Sequence, residues 1–317
     1  MTHAKERRPE AGGLKVHLVL GCGGARGLAH LGVIEALEDA GCEVLSVAGC
    51  SMGAVIGGVY AAGCHAQYRD YMMTLTKSKV YGLFDFTLDR QGLVKGEKIL
   101  GELKKIVNVR NIEELRIPFT AVAADMELRM EKRFESGDLY KALRASFAIP
   151  GIFTPVKENG QVLVDGGVLN PLPLDAVTRS EGSVVVAVNL NGKPTGKGKA
   201  SVKKEKENEE KSLLKDITKW LKIDNGHSDS GVQNPTNARW LTELLLFSYH
   251  MTQDKVTELM VERHRPEIIV DIPRDAGTTF DFHRCAELVK IGRELGTEAL
   301  RRYAAQVAKE EKAAHRS

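Results

Sequence analysis

Gly49-Cys50-Ser51-Met52-Gly53 has the form G-x-S-x-G. Between a strand and a helix, that form holds a serine on a tight, strained bend with its hydroxyl above the sheet. Gly49 and Gly53 leave room for the backbones to approach. The helix that follows aims its N-terminal N–H groups and positive dipole end at the reacting centre. This is the arrangement of a nucleophile for an acyl carbonyl; the alternative is a glycine-flanked turn in which Ser51 caps a helix. A serine hydroxyl also needs a base. His17 lies inside a strand and His30 on a helix. His250, His264 and His283 come in the chain order Ser…Asp…His, but none follows a strand in a glycine-rich turn. Asp165 ends a short strand at Gln161–Val164 and is followed by Gly166-Gly167. A carboxylate in water, with a pKa of about 3.9, is a poor base for an alcohol. Burial and a hydrogen bond to Ser51 would change that. A plain D-G turn is the competing reading, and the residues alone do not separate the two.

Gly21-Cys22-Gly23-Gly24-Ala25-Arg26-Gly27 is a second glycine loop. A dinucleotide fingerprint fits it poorly: the spacing is G-x-G-G-x-x-G, and the end of the second strand holds the serine turn instead of an acidic residue. No G-K-[ST] follows, which excludes a P-loop. An oxyanion hole remains. Adjacent glycines let backbone N–H groups converge where an acyl carbonyl gains charge, and losing one such donor costs about 10²–10³ in rate.

Both loops need elements to hold them. Val16–Leu20 reads as a buried strand and Leu28–Glu38 as a helix. A second strand around Val44–Val47 and a helix at Ala54–Ala62 complete a parallel βαβ unit. Both glycine loops then leave carboxyl ends of strands, where such sheets place their sites. Further along, helices are expected at Glu97–Val107, Leu139–Phe147, Pro173–Arg179, Asn237–Arg263 and Phe282–Val307. Strands are expected at Phe119–Ala124, Val184–Leu190 and Ile268–Val270.

The 317 residues carry a net charge of +3, too little to argue for nucleic acid. The five cysteines form no CxxC pair, which fits reduced thiols in a cytosolic compartment and neither a disulfide framework nor a zinc site. The first 13 residues read as a flexible polar tail with no apolar signal region. No run approaches the roughly 18–20 apolar residues of a membrane span, so any membrane contact is peripheral. Residues 191–211 are Lys/Glu/Gly-rich and read as a disordered insertion. It extends to 235 and includes an amphipathic segment at 212–223. There Leu213, Ile217, Trp220 and Leu221 share one face and lysines another. That segment would either lie on an anionic bilayer or pack on the domain.

Four blocks in order, GCGGARGLAHLGVIEALEDAG (21–41), GCSMGAVIGGVYAAG (49–63), ASFAIPGIFTPV (145–156) and VDGGVLNPLPLDAV (164–177), resemble the patatin-like phospholipases of the bacterial cytosolic type. The resemblance covers roughly residues 16–190. It implies an α/β fold of three layers, α/β/α, with a central mostly parallel sheet and a nucleophile elbow, here one domain over 14–310. It implies a Ser51–Asp165 dyad and an oxyanion hole from the backbone N–H groups of Gly23, Gly24 and Arg26. Gly21, Gly27, Gly49, Gly53, Gly166 and Gly167 are its motif glycines. The implied activity is hydrolysis of lipid acyl esters, of phospholipase A or lysophospholipase type, without metal or cofactor. The implied partner is a lipid or lysophospholipid substrate, met in the cytoplasm or at the inner face of the membrane. A weakly reactive lipid- or partner-binding protein, or a transacylase or thioesterase with the same dyad, is the alternative. Arg26 either fixes the glycine loop or meets a lipid phosphate, and the need of a charge near the sheet for partners favours the first. Cys50 is expected to point into the core and take no part in chemistry.

Overall fold

The computed structural model describes residues 13–87, 93–195 and 235–315. The expected polar tail and the expected insertion, with its 212–223 segment, lie outside these residues except at their margins. In chain order the elements are β1 (Lys15–Leu20), α1 (Ala29–Asp39), β2 (Glu43–Cys50), α2 (Met52–Ala61), α3 (His65–Met73), α4 (Lys77–Gly82), α5 (Glu97–Ile106), β3 (Phe119–Asp125), β4 (Met130–Phe134), α6 (Leu139–Ser146), β5 (Val156–Glu158), β6 (Gln161–Asp165), β7 (Ser183–Gly192), α7 (Pro235–His264), β8 (Ile268–Pro273) and α8 (Cys285–Ala314). β7 thus runs two residues into the stretch read as insertion.

One sheet of eight strands organises the described residues, in the order β5-β6-β3-β2-β1-β7-β8 with β4 also on β3. Its centre, β3-β2-β1-β7-β8, is parallel, and β4, β5 and β6 pair antiparallel. A parallel sheet is covered on both faces, so its strands read as unbroken apolar runs. Val16, Leu18 and Leu20 of β1 and Val184, Val186, Val188 and Leu190 of β7 point to the face packed by α1, α2 and α8. Val19, Val185 and Ala187 point the other way, toward Leu172, Leu174 and the α7 residues Met260 and Val261. Each such buried Val or Leu contributes roughly 1.5–3 kcal/mol, so both layers are held by the same strands.

The expected helix at Pro173–Arg179 is not formed. A segment this short does not nucleate a helix by itself. It makes one turn, with the Ala176 amide donating to the Pro173 carbonyl at 3.1 Å, and buries Leu172 and Leu174. No helix among the described residues is long and apolar enough to cross a membrane.

Candidate active site

The register on β3 brings two strand ends together. β2 runs parallel to β3 and leaves it where Cys50 faces Val122. β6 runs antiparallel and ends where Asp165 faces Ala123. Ser51, one residue past Cys50, therefore meets Asp165 although 114 positions separate them in the chain.

Ser51 has φ 56 and ψ −123, a left-handed conformation rare for a residue with a side chain. Such a residue costs about 1–3 kcal/mol and persists only when its surroundings over-determine it. They do so here. The Ser51 amide donates to Ser146 Oγ at 2.9 Å, and the Ser146 hydroxyl donates to the Val122 carbonyl at 2.6 Å. The Ser51 carbonyl accepts from the Ala54 and Val55 amides in the first turn of α2. A Cβ at Gly53 would run into the Leu20 carbonyl, so only glycine lets α2 start this close to β1.

Asp165 is 1% exposed. Its Oδ1 accepts the Gly167 amide at 2.7 Å and faces the Cys50 thiol at 3.9 Å. Burial pushes its pKa up to about 6, while Ser51, the Gly167 amide and Cys50 pull it down. Cys50 does point inward as expected, but it packs against this carboxylate and Cys22, and burial pushes its thiol up.

The glycine loop lies beside the elbow. A Cβ at Gly27 would overlap the Met52 side chain. The Gly21, Cys22 and Ala25 amides donate to the Val188, Pro171 and Thr279 carbonyls. Gly24 has φ +57 and packs on Thr279. Arg26 begins no phosphate site: it is buried, and its guanidinium donates to the Gly23 carbonyl at 3.2 Å and the Arg274 carbonyl at 3.4 Å. His30, wholly buried, holds the Gly21 carbonyl at 2.9 Å, and burial lowers its pKa to about 4, so it is neutral. His250 lies beside Gln253 and Arg26. Among the described residues, no histidine lines the cavity that opens on Ser51.

That cavity measures about 100 Å³. Ser51 and Gly24 stand at it, and Val55 of α2, Tyr68 and Met72 of α3, Leu103 of α5, Phe147 and Phe280 wall it. Among the described residues of its lining, Glu102, bonded to Lys105 at 2.7 Å, is the charged one. Sequence reasoning missed α3, α4 and the 279–281 segment, and with them Tyr68, Tyr71, Met72, Val80, Thr279 and Phe280 of this wall. It also missed Ser146, whose only sequence signal is its place in the 145–156 block. Gln253 was missed too: its amide donates to the Gly167 carbonyl at 3.1 Å and to Cys22 Sγ at 3.2 Å.

A doubly covered, mostly parallel sheet with a strained serine between strand and helix, facing a buried carboxylate, defines a mixed α/β protein whose candidate site lies at a strand-to-helix turn. Residues 18–178 match the family model described as patatin-like phospholipase, and the chain belongs to that family. It is 32% identical to an uncharacterized NTE family protein of Mycobacterium tuberculosis over 328 residues, 90% of this chain and 91% of that protein. It is 31% identical to human patatin-like phospholipase domain-containing protein 6 over 56% of this chain and 13% of that one. It is 28% identical to lysophospholipase NTE1 of Cryptococcus neoformans over 56% of this chain and 11% of that one. The crystal structure of VipD from Legionella pneumophila aligns with a TM-score of 0.43 at 16% identity, over 93% of this chain and 67% of that one.

Proposed function

We propose that this chain hydrolyses acyl esters of lipids through a Ser51–Asp165 dyad. The observation that carries the reading is a serine held at positive φ against a buried carboxylate with its pKa raised to about 6, beside an apolar cavity. Asp165 takes the hydroxyl proton as Ser51 Oγ attacks the ester carbonyl. The tetrahedral intermediate collapses to an acyl-serine, and the departing alkoxide takes the proton from Asp165. Water then gives a proton to Asp165 and attacks the acyl-serine. Release of the fatty acid returns that proton to Ser51.

The oxyanion is received by the amides of Gly23 and Gly24. Those of Gly21, Cys22 and Ala25 are committed elsewhere, and that of Arg26 falls inside the 3-10 turn Gly24–Leu28, where amides bond to the carbonyl three residues back. A family description naming phospholipases and a relative named lysophospholipase support a lipid ester. The apolar cavity walls suit an acyl chain.

The test is labelling by a fluorophosphonate probe together with hydrolysis of a panel of lysophospholipids, phospholipids and neutral esters. Ser51→Ala is expected to lose both labelling and hydrolysis while keeping its melting transition. Hydrolysis at the wild-type rate by folded Ser51→Ala would remove the serine from the mechanism. A folded wild type that takes no label would mark a binding protein instead.

A further inference from the structure

We infer that Gln253 of α7 is a positioning residue for the dyad, tying the turn that carries Asp165 to the glycine loop. The inference rests on the Ser51–Asp165 reading and adds to it a part from outside the family-matched residues 18–178.

Gln253 is 4% exposed, on the face of α7 that packs against the turn at Gly166–Val168. One amide nitrogen spans both loops: it donates to the Gly167 carbonyl and to Cys22 Sγ, next to Gly23 and Gly24. Gly167 is thereby held at its carbonyl by Gln253, while its N–H donates to Asp165 Oδ1 at 2.7 Å. Tyr249, one helical turn earlier on the same face, places its hydroxyl over the same glycine. A Cβ at Gly167 would overlap Gln253 Nε2 and crowd both the Tyr249 hydroxyl and Asp165 Oδ1, so the three groups converge on one point.

A buried amide costs free energy unless it is bonded, and one of its two acceptors is a thiol, a weak acceptor. A methionine of similar length would fill the space without that cost. The amide therefore reads as geometry held at the expense of stability. Two loops that leave different strands are kept in one register, so the base and the oxyanion donors stay at a fixed separation.

Full-length wild type, Gln253→Met and Ser51→Ala are compared on a p-nitrophenyl ester across pH, with melting curves. Gln253→Met is expected to keep its fold and its KM while kcat falls by up to about 10²-fold, the cost of a misplaced reacting group. With the Gly167 carbonyl released, Asp165 holds the Gly167 N–H less well. That N–H favours the charged carboxylate, so the acid limb of the pH–rate profile moves to higher pH. Wild-type kcat with an unmoved acid limb in Gln253→Met overturns the inference, and so does a fall in kcat with the limb unmoved. Should Gln253→Met lose its cooperative melt, Gln253→Asn, polar but one methylene too short to span both loops, reads the same two quantities. Activity in Ser51→Ala would instead bring down the dyad reading itself, so the two failures are told apart.

Discussion

Asp165 is a carboxylate kept away from the water that would ordinarily stabilise its charge, and this has two measurable consequences. On the proposed mechanism it is the base and works only when ionised, so kcat/KM is expected to rise with pH through about 6 and level off above. A profile flat from pH 4 to 8 would speak against Asp165 as the base. The second consequence is stability. The folded-state pKa lies above the unfolded one, so folding favours the protonated form. That contribution is complete below pH 3.8 and is lost as pH rises through about 6. Above that, the buried charge costs about 3 kcal/mol relative to acid pH. Asp165→Asn keeps an acceptor for the Gly167 amide and removes the charge. It is expected to be inactive and to melt above wild type at pH 8, the gap closing toward pH 4. Ser146 works on the other partner. Wholly buried, it links the Ser51 amide to the Val122 carbonyl. Ser146→Ala leaves both groups unpaired, at about 1–3 kcal/mol each. A lowered melting temperature and slower fluorophosphonate labelling are expected together, and labelling at the wild-type rate would free the elbow from dependence on Ser146.

Among the elements, α2 carries both the elbow and part of the cavity wall. Val55 lies one turn beyond Ser51 and lines the cavity. Val55→Trp is expected to spare short-chain esters and to lower kcat/KM for long acyl chains by at least about tenfold, since one buried methylene alone is worth 1–3 kcal/mol of discrimination. Equal loss across chain lengths would place the acyl chain elsewhere. The same helix marks the limit of what could be read from residues. β1, β2, α1 and α2 were legible because their glycine turns punctuate long apolar runs, and both glycine loops fell where parallel strands end. Asp165 was not separable from an ordinary D-G turn, because its meaning lies in the pairing of β6 with β3, which no local pattern encodes. α3 and α4 were silent for a different reason. They span nine and six residues. Tyr68 and Met72 are the only buried pair on α3, too few turns for a helical period to stand out. Gln253 looked like any polar residue on a long helix until α7 was seen against Gly167.

At the scale of the whole molecule, near and far parts of the chain interleave. β1 lies between β2 and β7. α1 packs on α8 so closely that a Cβ at Gly292 would run into the Ala29 carbonyl and one at Gly32 into that of Val289. Gly32→Val is therefore expected to part the two helices and lower the melting temperature by several degrees, an overpacking cost of about 1–3 kcal/mol. An unchanged melt would mean the helices can separate freely. The glycine loop shares this dependence, since the Ala25 amide donates to the Thr279 carbonyl at 2.9 Å and Gly24 rests on the same residue. A ribosome delivers Ser51 and Asp165 long before Thr279. While it does so, the emerging chain holds Ser51 beside a glycine loop whose Gly24–Ala25 end still lacks its partner at Thr279. On the proposed mechanism, a nascent chain is harmless to the lipids around it until Thr279 has been made and has closed on the loop.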